Sequence, residues 1–126
     1  MGQVSAVMRK VAGGFMHWCH GCGEAHVIIV HRDPEFPGPC WTFDGNVDRP
    51  TFAPSIRITG KQTVKDERGA WTGEWVCGPD GKALDKCCHY FVRSGQIDFC
   101  GDSTHALAGK TVPMPPLPEH LQEGAA

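Results

Sequence analysis

The sequence predicts a mainly β, small α+β domain. Antiparallel hairpins gather around one zinc knuckle, with one short helix near residues 103–108 and a Pro-rich C-terminal tail. Three observations lead there. Sixteen Gly and ten Pro, with only 9% aromatic residues, describe a chain of many turns and short strands. The longest apolar run is the four residues Val27-Ile28-Ile29-Val30, which suits a buried strand and falls far short of a membrane span. And Cys19-His20-Gly21-Cys22-Gly23 is a tight Gly-flanked turn that sets two thiols side by side. At 126 residues one domain is expected, residues 1–112, followed by a tail, 113–126.

The elements follow in order. Residues 3–11 alternate loosely and read as a strand, with Gly13-Gly14 as the hairpin turn and Phe15 to Trp18 as the return strand into the cysteine turn. His26 to Val30 reads as a buried strand, Asp33 to Pro39 as a loop with three prolines, and Trp41-Thr42-Phe43 as a short strand closed by Asp44-Gly45-Asn46. Arg49-Pro50-Thr51-Phe52-Ala53-Pro54-Ser55 is extended, because two prolines exclude a helix, and the strand continues to Thr59. Lys61 to Ala70 is a charged hairpin tip with Trp71 to Val76 returning. Cys88–Arg93 and Gln96–Cys100 form a hairpin about Ser94-Gly95. Alternation places Cys88, Tyr90, Val92, Ile97 and Phe99 on one face and His89, Phe91, Asp98 and Cys100 on the other. Asp102 or Ser103 is placed to cap a helix that Gly109 stops. Four prolines between Pro113 and Pro118 give the tail a polyproline character.

Seven cysteines cannot pair completely, and the N-terminus carries no signal-peptide pattern, so the expected setting is cytosolic and reducing, without secretion by a signal peptide. There paired cysteines point to metal. Cys19 and Cys22 supply half a tetrahedron for Zn2+, and Cys88 is the third ligand. The fourth is open between His89, which neighbours Cys88 but points to the opposite face of a regular strand, and His105, on the expected helix; His26 is a further alternative, and Cys87 could compete with Cys88. Cys40, Cys77 and Cys100 have no ligand-like spacing, and His17, His31 and His120 read as surface residues. A formal charge of −2 with scattered Lys and Arg argues against a nucleic-acid partner, and no apolar stretch argues for a membrane one.

Five segments in order, Trp18-Cys19-x-Gly21-Cys22-Gly23-Glu24-x-His26, Trp41-Thr42-x-x-Gly45, Arg49-Pro50-Thr51-Phe52-x-Pro54-Ser55, Cys88-His89-x-Phe91-Val92 and Gly101-Asp102-Ser103-Thr104-His105-Ala106-Leu107-Ala108-Gly109, resemble a family of unknown function found in tailed phages and prophages, often labelled "ammonia monooxygenase". The resemblance implies a phage origin, with a host cytoplasm or a virion as the setting, and no mechanism. The inherited label does not suit a chain without a membrane span.

Two functions compete on this basis. The first is a zinc-stabilised, non-enzymatic phage accessory protein, a virion component or adaptor whose partner is a phage protein or a second copy of itself, with no catalytic and no cofactor-binding residues beyond the metal ligands Cys19, Cys22, Cys88, His89 and His105. The alternative is a zinc-dependent hydrolase using the same metal, with Glu24, Asp102 or His105 as base and Thr51 and Ser55 orienting substrate. A thiol redox role for Cys19 and Cys22 is disfavoured because no helix follows Cys22 to lower a thiol pKa.

Overall fold

The computed structural model describes residues 2–31, 38–68 and 70–122. Ten strands run in order: β1 Arg9–Val11, β2 Gly14–Cys19, β3 Glu24–Ile29, β4 Thr42–Phe43, β5 Phe52–Lys61, β6 Thr63–Lys65, β7 Trp71–Trp75, β8 Asp85–Arg93, β9 Gln96–Phe99 and β10 Thr111–Pro113. A 3-10 turn, Glu119–Leu121, follows. The strands form three antiparallel sheets: β1-β2-β3, the five-stranded β10-β9-β8-β5-β4, and the separate hairpin β6-β7. The molecule is mainly β and antiparallel, as the turn-rich composition implies.

The first sheet begins later than residue 3. Ser5 Oγ accepts from the amides of Val7 and Met8, which bends the chain into a side-chain-closed turn before β1 can start. The hairpin closes with Val11 opposite Gly14 and Gly13 at φ 77°. Gly14 itself must lack a side chain, since a Cβ there would lie 2.0 Å from the carbonyl oxygen of Ile28 on the adjacent strand. The second sheet follows the expected register. Arg93 pairs with Gln96, Tyr90 with Phe99, and the turn residues Ser94 and Gly95 both have positive φ. Cys88, Tyr90, Val92, Ile97 and Phe99 all face inward and are buried. They meet Phe52 and Ile56 of β5, and Met8, Phe15 and Ile28 from the first sheet. The core is thus the layer between the two sheets.

Two expected elements differ. Residues 104–105 form a bend and 106–108 a turn, with no helix over 103–108. The Ser103 and Thr104 side chains and the Thr104 amide are bonded to β8, so they are unavailable for helix capping or a helical ladder. The Pro-rich segment is docked: Thr111–Pro113 extends the large sheet beside β9, Met114 and Leu117 are buried, and the Leu117 amide donates to Ala6. The expected loop from Asp33 to Pro39 lies largely outside the described residues. Lys61 to Ala70 and Trp71 to Val76 do contribute the two strands of a hairpin, β6 and β7.

Candidate active site and metal centre

Two clusters of chemically capable side chains lie back to back on β8. The inner one begins at the end of β2. Cys19 is fully buried, and the chain turns at Gly23 (φ 67°), whose amide donates to the Cys19 carbonyl at 2.8 Å. The Cys22 amide then points at Cys19 Sγ, 3.3 Å away. Cys88, also fully buried, enters from β8 with its Sγ 3.9 Å from that of Cys19. Two thiolates each about 2.3 Å from a tetrahedral zinc would be about 3.8 Å apart. His26 comes from β3, where it pairs with His17 across the hairpin. Ligand atoms of Cys19, Cys22, His26 and Cys88 all lie within 4.8 Å of one another, so the four could hold a metal ion.

Electrostatics supports that capacity. The thiols of Cys22 and Cys88 share Cys19 as hydrogen-bond acceptor, which holds Cys19 well below the ordinary thiol range, while Cys22 is pushed up to about 12 and Cys88 is raised strongly by the same bonds to its neighbours. Three thiolates so close repel one another, and a dication removes that repulsion. His26 Nε2 is a buried ring nitrogen with no hydrogen-bond partner among the described residues; its nearest carboxylate, Glu24, is 3.9 Å away and is engaged by Lys86.

The other nitrogen of His26 has a partner. His26 Nδ1 lies 3.2 Å from the Tyr90 hydroxyl, which lies 2.8 Å from His17 Nε2, and His17 Nδ1 approaches the Trp18 carbonyl at 3.4 Å. A carbonyl only accepts, so these partners assign His17 Nδ1–H as donor, Tyr90 O–H as donor to His17, and His26 Nδ1–H as donor to Tyr90. His26 Nε2 is left with its lone pair aimed at the cysteines, the arrangement by which an outer hydrogen bond orients a metal-binding imidazole. His17, expected on the surface, is 1% exposed, and burial first, then the neighbouring His26, lowers its pKa from 6.5 to about 4.

The sequence-predicted histidines occupy different places. His105 comes near, its Nε2 3.4 Å from Cys88 Sγ and its ring packed where a Cβ on Gly21 would clash at 2.4 Å. Its Nδ1 accepts from the Leu107 amide at 3.2 Å, which leaves Nε2 as a donor to the Cys88 sulfur. His89 is turned away from the cysteines, because β8 runs regularly through Cys88 and His89 and adjacent side chains point to opposite faces.

On that outer face His89 completes a second cluster. His89 Nε2 lies 3.1 Å from Ser55 Oγ, and His89 Nδ1 lies 3.2 Å from both carboxylate oxygens of Asp102. Strand register brings the pair together: His89 is opposite Arg57 on β5, so Ser55, two residues earlier, is its diagonal neighbour on the same face. The register shifts between Phe52 and Ile56, so Ser55 sits at an irregularity in the β5–β8 pairing. Trp41 Nε1 donates to the Ser55 carbonyl at 3.1 Å and fixes the backbone there.

Asp102 is held by its neighbours. β8 outruns β9 at residues 87–89 and would leave backbone groups unpaired. Ser103 Oγ accepts from the His89 amide and donates to the His89 carbonyl, both at 3.1 Å, and Thr104 Oγ1 treats Cys87 likewise at 3.0 and 3.2 Å. The loop bearing Asp102 is thereby stitched to the strand bearing His89.

Of the side chains expected to serve a hydrolase, Glu24, Thr51 and His105 lie away from the outer cluster. Glu24 pairs with Lys65 and Lys86 beside the cysteines, and Thr51 Oγ1 accepts from the Ser94 amide at the β8–β9 turn. Ser55 and Asp102 meet at His89. The available indication was the alternation that set His89 on the face opposite Cys88.

The family model of BubE, described as bacterial ubiquitination-like system serine protease, matches residues 1–100. Ser55 and His89 fall inside the matched span, and Asp102 falls just after it. No curated protein and no solved structure gives a significant match. The match overturns the resemblance to a phage family of unknown function, and with it the phage and virion assignments. The chain belongs to the BubE family of bacterial ubiquitination-like system serine proteases.

Proposed function

We propose that this chain is a serine protease of a bacterial ubiquitination-like system, with Ser55 as nucleophile, His89 as general base and then general acid, and Asp102 as the carboxylate that orients His89. The single observation that carries the reading is the Ser55 Oγ–His89 Nε2–His89 Nδ1–Asp102 chain of 3.1 and 3.2 Å contacts. The family description supports it, and a non-enzymatic accessory role is overturned by the same match. The hydrolase alternative fits better, with the chemistry moved from the metal to a serine.

The steps follow from the geometry. Asp102 accepts from His89 Nδ1–H, so the lone pair of the imidazole lies on Nε2, facing Ser55. As Ser55 Oγ attacks a substrate carbonyl, its proton passes to Nε2, and the imidazolium is stabilised by Asp102. Collapse of the tetrahedral intermediate passes that proton to the leaving group and leaves an acyl ester on Ser55. Water, deprotonated by Nε2, then releases the acyl group, and Ser55 recovers its proton. The side chains of His89 and Asp102 are 26% and 52% exposed, so a substrate has access.

The metal centre has a separate role in this reading. The donor set of three thiols and one imidazole, with the lone pair of His26 Nε2 otherwise unsatisfied, fits Zn2+ held by Cys19, Cys22, His26 and Cys88. When bound, zinc supplies a closed structural cross-link between β2, β3 and β8. Cys88 then fixes the strand that carries His89.

A fluorophosphonate probe tests the assignment directly. It is expected to label Ser55 in the wild-type protein and to leave Ser55→Ala and His89→Ala unlabelled. Labelling of Ser55→Ala at the wild-type rate, or at another residue, would overturn it.

A further inference from the structure

The relay leaves one neighbour without a role. Cys100 lies opposite His89 at the end of β9, its amide donating to the His89 carbonyl at 2.8 Å, and Asp102 follows two residues on. A cross-strand pair and its near neighbour therefore put a thiol, an imidazole and a carboxylate together, and their ligand atoms lie within 4.8 Å of one another. We propose that His89, Cys100 and Asp102 form a second site, for a thiophilic divalent cation such as Zn2+, and that filling it switches the hydrolytic relay off. The switching half rests on the protease reading; the site itself does not.

Four features argue for this. The donor set is sulfur, nitrogen and oxygen, which selects zinc-like ions over magnesium or calcium. Donor atoms around such an ion stand about 3.3–3.8 Å apart, so a movement of about 1 Å by Cys100 or Asp102 closes the shell. The site is open: His89 and Asp102 are partly exposed, whereas Cys19 and Cys88 of the inner centre are fully buried. The field is also favourable. Burial and then the carboxylates of Asp102 and Asp98 raise the Cys100 thiol, and negative potential that disfavours a thiolate attracts a dication; Arg93, paired with Asp98 at 3.2 Å, offsets part of it.

The site and the relay use the same atoms, so they exclude each other. The His89 nitrogen nearest Asp102 is Nδ1. With a cation on Nδ1, the neutral imidazole carries its proton on Nε2 and has no lone pair for the Ser55 hydroxyl. The Asp102 carboxylate is engaged by the cation, and the Cys100 thiol releases its proton to solvent. No electron transfer is involved.

The test uses full-length protein whose inner centre is already loaded with zinc. Titration with Co2+, read by thiolate-to-cobalt charge-transfer absorption and by metal content, is expected to add one further equivalent to the wild type and none to Cys100→Ala. Added Zn2+ is expected to slow fluorophosphonate labelling of the wild type. In Cys100→Ala labelling without added zinc is expected to be unchanged, and the half-inhibiting concentration to rise at least about tenfold, since even an outer-shell partner of a metal is worth about 10–100-fold in affinity and Cys100 would be a direct ligand. No second equivalent in the wild type, or equal zinc inhibition of both proteins, would overturn the proposal. Absence of labelling in the wild type under all conditions would overturn the protease reading and the switch with it, while the cobalt count still decides the site.

Discussion

His89 has two ring nitrogens and two partners, and each partner has a different consequence. Removing the Ser55 side removes the nucleophile. Altering the Asp102 side leaves the nucleophile and changes the tautomer: an amide at 102 can donate to Nδ1, which moves the ring proton to Nε2 and blocks proton acceptance from Ser55. Asp102→Asn is therefore expected to lower the rate of Ser55 acylation by about 10³–10⁴-fold with little change in melting temperature, since the side chain is half exposed; stopped-flow labelling and calorimetry on one preparation check both. His17 gives the opposite case, a histidine whose effect is on stability. Its folded pKa of about 4 lies below the unfolded 6.5, so below pH 6.5 the unfolded chain binds the proton first. Stability is fully present above pH 6.5 and is lost as pH falls toward 4, by on the order of 3 kcal/mol from this group. Urea unfolding at several pH values with metal content verified, beside an NMR titration of the His17 ring, reads this. A ring that protonates near pH 6.5 in the folded protein would contradict it. Neither role was legible from residue type. Cys88-His89 reads in sequence as a ligand pair, and His17 as a polar surface residue, because what separates them is which face of a strand each occupies and which distant partner it meets: Tyr90, 73 residues away, for His17, and Ser55, 34 residues away, for His89.

Strands were the more legible level. The β8–β9 hairpin was readable in sequence, because Ser-Gly between two alternating runs fixes both turn and register. The expected helix at 103–108 was misread for a definite reason. Asp, Ser and Thr before an apolar run suit a helix N-terminus, but they equally suit bonding to a neighbouring strand, and here the strand end at residues 87–89 offers unpaired backbone groups that outcompete the helix. Ser103 is the residue on which that outcome can be measured. It is 8% exposed and bonds both backbone groups of His89. Ser103→Ala is expected to cost about 1–3 kcal/mol of stability, by leaving a buried amide unpaired, and to slow Ser55 acylation without weakening reversible binding of a substrate analogue. Ser103→Thr, which retains the hydroxyl, is expected to restore most of the rate. Equal loss in both variants would mean that packing at this position, and not the hydroxyl, holds Asp102 in register.

The two sheets share one thin core, and the cysteine centre joins them at one end: Cys19, Cys22 and His26 belong to the first sheet or its turn, Cys88 to the second. Metal ligation in small domains contributes on the order of 10 kcal/mol, comparable with a whole domain's stability of about 5–15 kcal/mol. Removing the metal with a strong chelator is expected to lower the melting temperature sharply and to abolish Ser55 labelling, with zinc restoring both; the same pair of losses is expected for His26→Ala. Retained labelling after complete metal removal, followed by elemental analysis, would detach the two. The sequence disclosed the Cys19–Cys22 turn and the distant Cys88. It could not disclose that Cys88 and His89, adjacent in the chain, serve the inside and the outside of the molecule.

That adjacency has a consequence for the life history of the chain. One short stretch of β8 carries Cys88 of the proposed metal centre on its inner side and His89 of the proposed relay on its outer side, so a freshly made polypeptide without metal is expected to lack an ordered Ser55–His89–Asp102 geometry. On the proposed reading, activity is expected to wait on metallation of the cysteine centre. Synthesis under zinc restriction is expected to yield soluble, full-length, unlabelled protein that becomes reactive on zinc addition alone, over the time the fold needs to form.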